Sequence, residues 1–270
     1  MRKRVAALAA TVAAILIGAT AASAITDGTP DGNNHPYVGF LITIDLETNL
    51  ASGCSGSLLS EDVFLTAGHC TDGADLAFVW FDQQWDGTLA SADAVGTAHT
   101  YPGFCVGCGS GLPGFDRGDV GVVTLDAVLG DVPSAHAALP TAGVVDALKN
   151  NAPVDYVGYG VTFQAHIPGN LLPQPPPFYR WDGLGTRMFA SGQIISGKFT
   201  HSDQFLKVSQ SPGQGKGGSC FADSGGPVLQ GGSGIVLGVN SYGPNPNCTG
   251  VGYAQRIDVP GILAWINTFL

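Results

Sequence analysis

Apolar residues in this chain alternate with small and polar ones over short stretches, and seven stretches have the length and period of a β-strand. They run from Tyr37 to Leu46, Val63 to Thr66, Leu76 to Phe81, Val120 to Leu125, Val154 to Tyr159, Ile235 to Ser241 and Gly252 to Ile257. Turn-forming residues separate nearly all of them, as an antiparallel all-β chain requires. No solenoid or propeller period recurs. Patterning weakens from Asp126 to Ala152, which reads as a connection between two halves. Gln164 to Gly185 carries Pro168, Pro173 and Pro175 to Pro177, which withhold N–H donors from a sheet, so this segment reads as an extended insertion loop. Only the end is helical in period. Pro260 suits a first turn, Ile262, Leu263, Ile266 and Phe269 follow at helical spacing, and the resulting short helix is expected to pack on the second half.

The first 24 residues stand apart from this pattern. Arg2, Lys3 and Arg4 precede an apolar run from Val5 to Ile17 that ends in Ala22, Ser23 and Ala24, the form of a secretory signal peptide. The run is too short for a membrane span, and no later stretch reaches about 18 uninterrupted apolar residues. The expected product is a secreted, extracellular, monomeric protein with no membrane attachment after signal cleavage. Cleavage after Ala24 removes three of the 11 basic residues and none of the 21 acidic ones, leaving 8 against 21, a formal net charge of −13. Such a surface disfavours nucleic acid and anionic lipid, and is compatible either with plain solubility or with attraction to basic substrates. The 40 glycines and 17 prolines among few charges also favour short strands joined by turns. All six cysteines follow the signal segment, where export permits disulfides, although six allow 15 pairings.

Ser224 lies in CFADSGGP, where a serine is crowded by a cysteine, an aspartate and two glycines. A serine beside glycine is ordinarily a turn residue. The string differs by one residue from the nucleophile elbow of α/β-hydrolases, but that fold places its histidine after the serine, and the last histidine here is His201. A subtilisin order would require an acid before the histidine; Asp27, Asp31, Asp45 and Asp62 are available, none in a telling context. His69 alone among the six histidines has a distinctive setting, TAGHC after the strand Val63 to Thr66.

CSGSLLSEDVFLTAGHC, DVGVVTL, CFADSGGP and NSYG, in that order and spanning nearly all of the chain after the signal, resemble the chymotrypsin-like serine proteases of secreted bacterial type. The resemblance implies an all-β fold of two six-stranded antiparallel β-barrels, an active site in the cleft between them, and a short C-terminal helix. Residues 25–140 would form the first barrel, with His69 and Asp119, and residues 141–270 the second, with Ser224. His69 would be the general base, Asp119 its orienting acid in preference to Asp116, and Ser224 the nucleophile. A serine hydroxyl needs an imidazole to take its proton and return it to the leaving amine, and a carboxylate to hold the imidazole. The implied substrate is a protein or peptide, cut through an acyl-enzyme; an inactive binding homologue, or an esterase or narrow-specificity peptidase, are the alternative readings. No cofactor and no metal is implied. The family pattern pairs Cys54 with Cys70 and Cys220 with Cys248, leaving Cys105 and Cys108, whose CxxC spacing suits a local disulfide, redox chemistry or a metal.

Three further expectations rest on the same resemblance. Signal cleavage would leave ITDG at the N-terminus, similar to the family's mature start, and the freed Ile25 amine would pair with Asp223. The oxyanion hole would use the N–H groups of Ala222 and Ser224, with alanine where the family has glycine, a departure that puts one donor in question. The substrate pocket would have Gly218 at its floor, then Ser219, with Ser241, Tyr242 and Gly243 as its wall. No acid stands at the floor, so an apolar rather than basic side chain is expected at the cleaved bond, with Gly243 and Gly250 leaving the pocket open.

Overall fold

A computed structural model describes residues 25–108, 117–167, 178–195, 204–211 and 214–270. The signal segment, Asp116, His201 and the prolines from 168 to 177 lie outside the described residues. Among the described residues, fifteen strands follow one another in the order β1 (Thr29–Pro30), β2 (Val38–Asp45), β3 (Leu50–Leu58), β4 (Val63–Thr66), β5 (Leu76–Trp80), β6 (Ala94–Thr100), β7 (Gly121–Val128), β8 (Pro153–Gly158), β9 (Phe163–Ile167), β10 (Phe178–Asp182), β11 (Met188–Gln193), β12 (Phe205–Gln210), β13 (Pro227–Gln230), β14 (Val236–Tyr242) and β15 (Gly250–Arg256). Two short helices complete them, α1 (Gly68–Thr71) and α2 (Pro260–Ile266).

Strands β2, β3, β4, β7, β6 and β5 close into a six-stranded antiparallel barrel. The second half is a seven-stranded sheet in the order β1, β11, β8, β13, β14, β15, β12, curled so that Ile194, just after β11, bridges Val208 on β12. Strands β11, β8, β13, β14, β15 and β12 make this second barrel-like sheet, and the two-residue strand β1 adds itself to β11. The insertion is an isolated hairpin in which β9 pairs with β10. Phe40, Phe64, Leu65, Val122 and Val123 are buried in the first core cluster, with β4 and the start of β7 buried on both faces, and Val154, Tyr156, Val208, Val228 and Leu237 are buried in the second.

The two ends of the chain exchange barrels. Ile25, fully buried, belongs to the second core, and Thr26 bridges Gly218. The helix α2, expected on the second half, reaches the first barrel as well: Trp265 meets Tyr101 edge-on with ring centroids 5.4 Å apart, Phe269 meets His99 at 4.9 Å, and Ile262 and Ile266 join a core cluster that holds residues of both halves. Helical spacing identifies which face of a helix is apolar but not which barrel offers aromatic partners, and here the first barrel does. Arg187, just before β11, binds the halves together from the inside. Its buried guanidinium reaches Asp31 Oδ2 at 3.2 Å, the carbonyls of Val38 and Phe81 at 3.2 and 2.7 Å, and the Tyr159 hydroxyl at 3.0 Å. A charge taken out of water is tolerable only when paired and fully bonded in this way.

Because Ile266 is completely buried within the first core, Ile266→Ala should cost about 2–5 kcal/mol of stability, as other large-to-alanine core truncations do. Urea unfolding followed by tryptophan fluorescence measures this, and a cost below about 1 kcal/mol would mean that the helix contributes little to that core.

Candidate active site

The strand β4 runs into the single turn α1, which presents His69. Asp119 lies just before β7 and is 1% exposed. Its Oδ1 accepts from the His69 backbone N–H at 2.8 Å, and its Oδ2 lies 2.9 Å from His69 Nδ1. The Ser241 hydroxyl, from β14 of the second sheet, donates to the same Oδ2 at 2.6 Å. Burial alone would raise the Asp119 carboxyl, but the hydrogen bonds and charge of His69, together with Ser241, hold it below the usual carboxylate value. A charged Asp119 therefore fixes the imidazole with Nδ1 as its donor, which makes Nε2 the unprotonated nitrogen of the neutral ring.

Ser224 sits in a tight turn in which Asp223 N–H donates to the Cys220 carbonyl and Gly226 N–H to the Asp223 carbonyl. The turn lies against the segment that carries His69. Ser55 N–H donates to the Ser224 carbonyl at 2.8 Å, and Cys70 Sγ stands 3.9 Å from that oxygen. Gly225, at a φ of 78°, comes so close to β4 that a Cβ would fall 2.1 Å from Thr66 Oγ1, which is why no larger residue fits after the serine. Neither the Ala222 nor the Ser224 N–H has a protein acceptor among the described residues, so both are available to an incoming oxyanion. Ala222 adopts a φ of 71°, left-handed backbone that glycine takes without cost.

Asp223 is fully buried. Among the described residues its oxygens accept only from the backbone, from Gly160 N–H at 2.8 Å and Cys220 N–H at 2.9 Å, and no ion pair reaches it. Burial pushes its carboxyl up to about 7 despite those two bonds. Ile25, which in this chain is still joined to Ala24, is buried in the same half of the molecule, but among the described residues no ion pair joins it to Asp223.

A pocket of about 410 Å³ opens beside Ser224, and Ser219, Ser241, Tyr242 and Gly243 are among the residues lining it. Gly218 and Gly250 are not in its lining. Gly218 is spent on the bridge to Thr26, and the side chain of Gln210 lies over it, where a Cβ on Gly218 would come within 2.4 Å of Gln210 Cγ. Gln210 and Asn240 line the pocket instead. Neither had a local signal in the sequence, and nor had Ser55, whose hydroxyl donates to the Ala222 carbonyl and accepts from Tyr159 N–H, or Gln255, whose Oε1 accepts from Asp119 N–H. Three disulfides form: Cys54–Cys70 and Cys220–Cys248, the pairings the family pattern implies, and Cys105–Cys108, the local disulfide among the readings of the CxxC spacing. The Cys54–Cys70 disulfide takes both thiols out of the cluster that they form with His69.

The trypsin family matches residues 27–266. The chain belongs to the trypsin family. This membership supports a serine endopeptidase acting on peptide or protein substrates. Among solved structures, HL collagenase superposes with a TM-score of 0.64 at 18% identity, covering 93% of this chain and 98% of its own. Human heparin binding protein does so with a TM-score of 0.60 at 14% identity, covering 90% and 96%. At such identities these two likenesses establish the trypsin-like fold alone. No curated protein sequence matches the chain.

Ala222→Gly should relieve the left-handed strain and raise stability by about 1 kcal/mol in urea unfolding. A loss of stability would mean that the packing of the Ala222 methyl near Gly53 and Phe40 outweighs the strain.

Proposed function

We propose that this protein is a secreted serine endopeptidase in which Ser224 attacks the peptide carbonyl, His69 takes its proton and passes it to the leaving amine, and Asp119 holds the imidazolium. The observation that carries the reading is that Ser241 both bonds the His69–Asp119 pair and lines the pocket of Ser224. The N–H groups of Ala222 and Ser224 would receive the oxyanion, and water would then release the acyl group by the reverse proton path. No charged side chain is among those lining the pocket, which favours an apolar over a basic residue on the N-terminal side of the cleaved bond. A role in binding a polyanion, which the name of heparin binding protein raises, is disfavoured by the formal charge of −13 on residues 25–270.

Ser224→Ala should abolish labelling by a fluorophosphonate and lower peptide cleavage on the order of 10⁴–10⁶-fold. Cleavage that persists in Ser224→Ala overturns the mechanism, and failure of the unaltered protein to be labelled favours a binding role.

The proposed activation follows from the uncompensated Asp223. Signal cleavage would free the Ile25 amine, whose pairing with Asp223 would settle the turn that holds Ser224. The sign of the pH dependence distinguishes the two forms. In the unprocessed chain the folded carboxyl titrates at about 7, well above the roughly 3.9 of an unfolded aspartate. The native state then holds an extra proton, so stability should fall by roughly 4 kcal/mol as pH rises between those values. In protein beginning at a free Ile25 the pair would lower the folded value and reverse the slope. Thermal unfolding of both forms from pH 4 to 7, with Asp223→Asn as the reference lacking the group, measures it; equal slopes in the two forms would refute the pairing.

A further inference from the structure

The pocket beside Ser224 contains two carboxamides whose hydrogen-bonding capacity the fold leaves partly unused. Asn240, on β14 next to Ser241, is 3% exposed, and its Nδ2 is shut away from solvent with no partner. No hydrogen bond among the described residues fixes which end of this amide turns toward the pocket. Gln210, at the end of β12, is 2% exposed. Its Nε2 donates to the Ser219 carbonyl at 2.9 Å and to Ser219 Oγ at 2.7 Å, which settles the amide orientation and leaves Oε1 as the open acceptor. That oxygen points to the Gly243 side, where a Cβ would lie 3.8 Å from it. A buried amide N–H without an acceptor is rare and costly, and an occupant that supplies one recovers that cost. Turning the Asn240 amide so that Nδ2 meets the occupant leaves only its oxygen unmet, the less costly end. The Cys220–Cys248 disulfide, Phe221, Tyr242, Pro244 and Pro246 supply apolar surface to the same space, and its third carboxamide, Asn245, is already engaged, donating to Thr249 Oγ1 at 2.8 Å and accepting from Asn247 N–H at 2.9 Å.

Resting on the endopeptidase reading above, we propose that Asn240 and Gln210 make the pocket select tyrosine over phenylalanine on the N-terminal side of the cleaved bond. A phenol matches both requirements at once. Its ring lies against apolar walls, its oxygen accepts from Asn240 Nδ2, and its O–H donates to Gln210 Oε1. Phenylalanine fills the same volume and covers both carboxamides without satisfying either. A site built to bond a substrate hydroxyl discriminates strongly against the analogue that lacks it. A glutamate tip offers acceptors only and brings a charge that no side chain in the lining compensates, and lysine brings the opposite charge with no carboxylate to meet it.

The test compares kcat/KM for a series of peptide anilides identical except for tyrosine, O-methyltyrosine, phenylalanine, glutamate or lysine before the scissile bond. Tyrosine is expected to exceed phenylalanine by at least about tenfold, with O-methyltyrosine, which keeps the acceptor and loses the donor, falling well below tyrosine. Asn240→Val and Gln210→Met should each bring the tyrosine-to-phenylalanine ratio towards one, and because the ratio is taken within each variant, a general loss of rate does not obscure it. Phenylalanine cleaved as well as tyrosine by the unaltered protein, with cleavage lost in Ser224→Ala, overturns this proposal alone. No cleavage of any peptide overturns the endopeptidase reading and this proposal with it.

Discussion

A carboxylate withdrawn from water must be given donors, and Asp119 takes its own from both halves of the molecule. The first barrel supplies the backbone and ring of His69, the second sheet supplies the Ser241 hydroxyl, and Gln255 on β15 accepts from the Asp119 N–H. Losing one of these donors would leave a nearly buried charge under-bonded, a cost of several times an ordinary surface ion pair. The two barrels are thereby held in the one relative position that also sets Ser224 against the strand preceding His69. Arg187 enforces the same alignment at another point of the interface, where its guanidinium collects carbonyls from the first barrel and the Tyr159 hydroxyl from the second half. The exchanged termini add apolar contact to this polar registration. Since Ile25 belongs to the second core and α2 to the first, neither barrel completes its packing without the other half of the chain.

Asp223 poses the opposite case, a buried carboxylate with two backbone donors and no cation. It sits one residue from Ser224, within the turn whose peptide N–H groups are free for an oxyanion. Whatever charge is placed on Asp223 therefore acts on the orientation of those groups. The left-handed Ala222 shares the same turn, and the Ser55 hydroxyl holds its carbonyl. The turn is thus over-determined by side chains from β3 while keeping one electrostatic demand open, which is how a strained backbone segment can persist at a reactive serine.

The parts of the structure that were legible in the sequence are those where chemistry concentrates residues locally. TAGHC and DVGVVTL each place a polar side chain at the end of a patterned strand and CFADSGGP crowds Ser224 into a turn, and the structure brings His69 and Asp119 into hydrogen-bond contact from separate strands. Strand β3, LASGCSGSL, had no alternation to read because glycine and serine occupy its inward positions, yet it carries Cys54 and Ser55 into the site. The partner of α2 was illegible for a different reason: amphipathic spacing is a property of one helix, whereas Tyr101 and His99 were brought to it by the barrel. Gln255, Gln210 and Asn240 act through contacts made only in the folded chain, and an isolated carboxamide in a strand leaves no pattern in its neighbours.

The pocket illustrates how such a residue can displace one that position alone would nominate. Gly218 lies six residues before Ser224 and was expected to form the floor, but the absence of a side chain there is what admits Gln210. Gly252, opposite, makes the same allowance, since a Cβ on it would lie 2.6 Å from Gln210 Nε2. A larger residue at either glycine would expel the carboxamide from between the strands, and Ser219 would lose the donor that bonds both its carbonyl and its hydroxyl. The two glycines thus govern the polarity of the pocket indirectly, by deciding which strand supplies its base. A neutral acceptor from β12 consequently occupies the region where an acid on the nucleophile's own segment would have favoured a basic substrate. In the proposed endopeptidase, selectivity in this pocket would accordingly be a question of hydrogen-bond satisfaction more than of net charge.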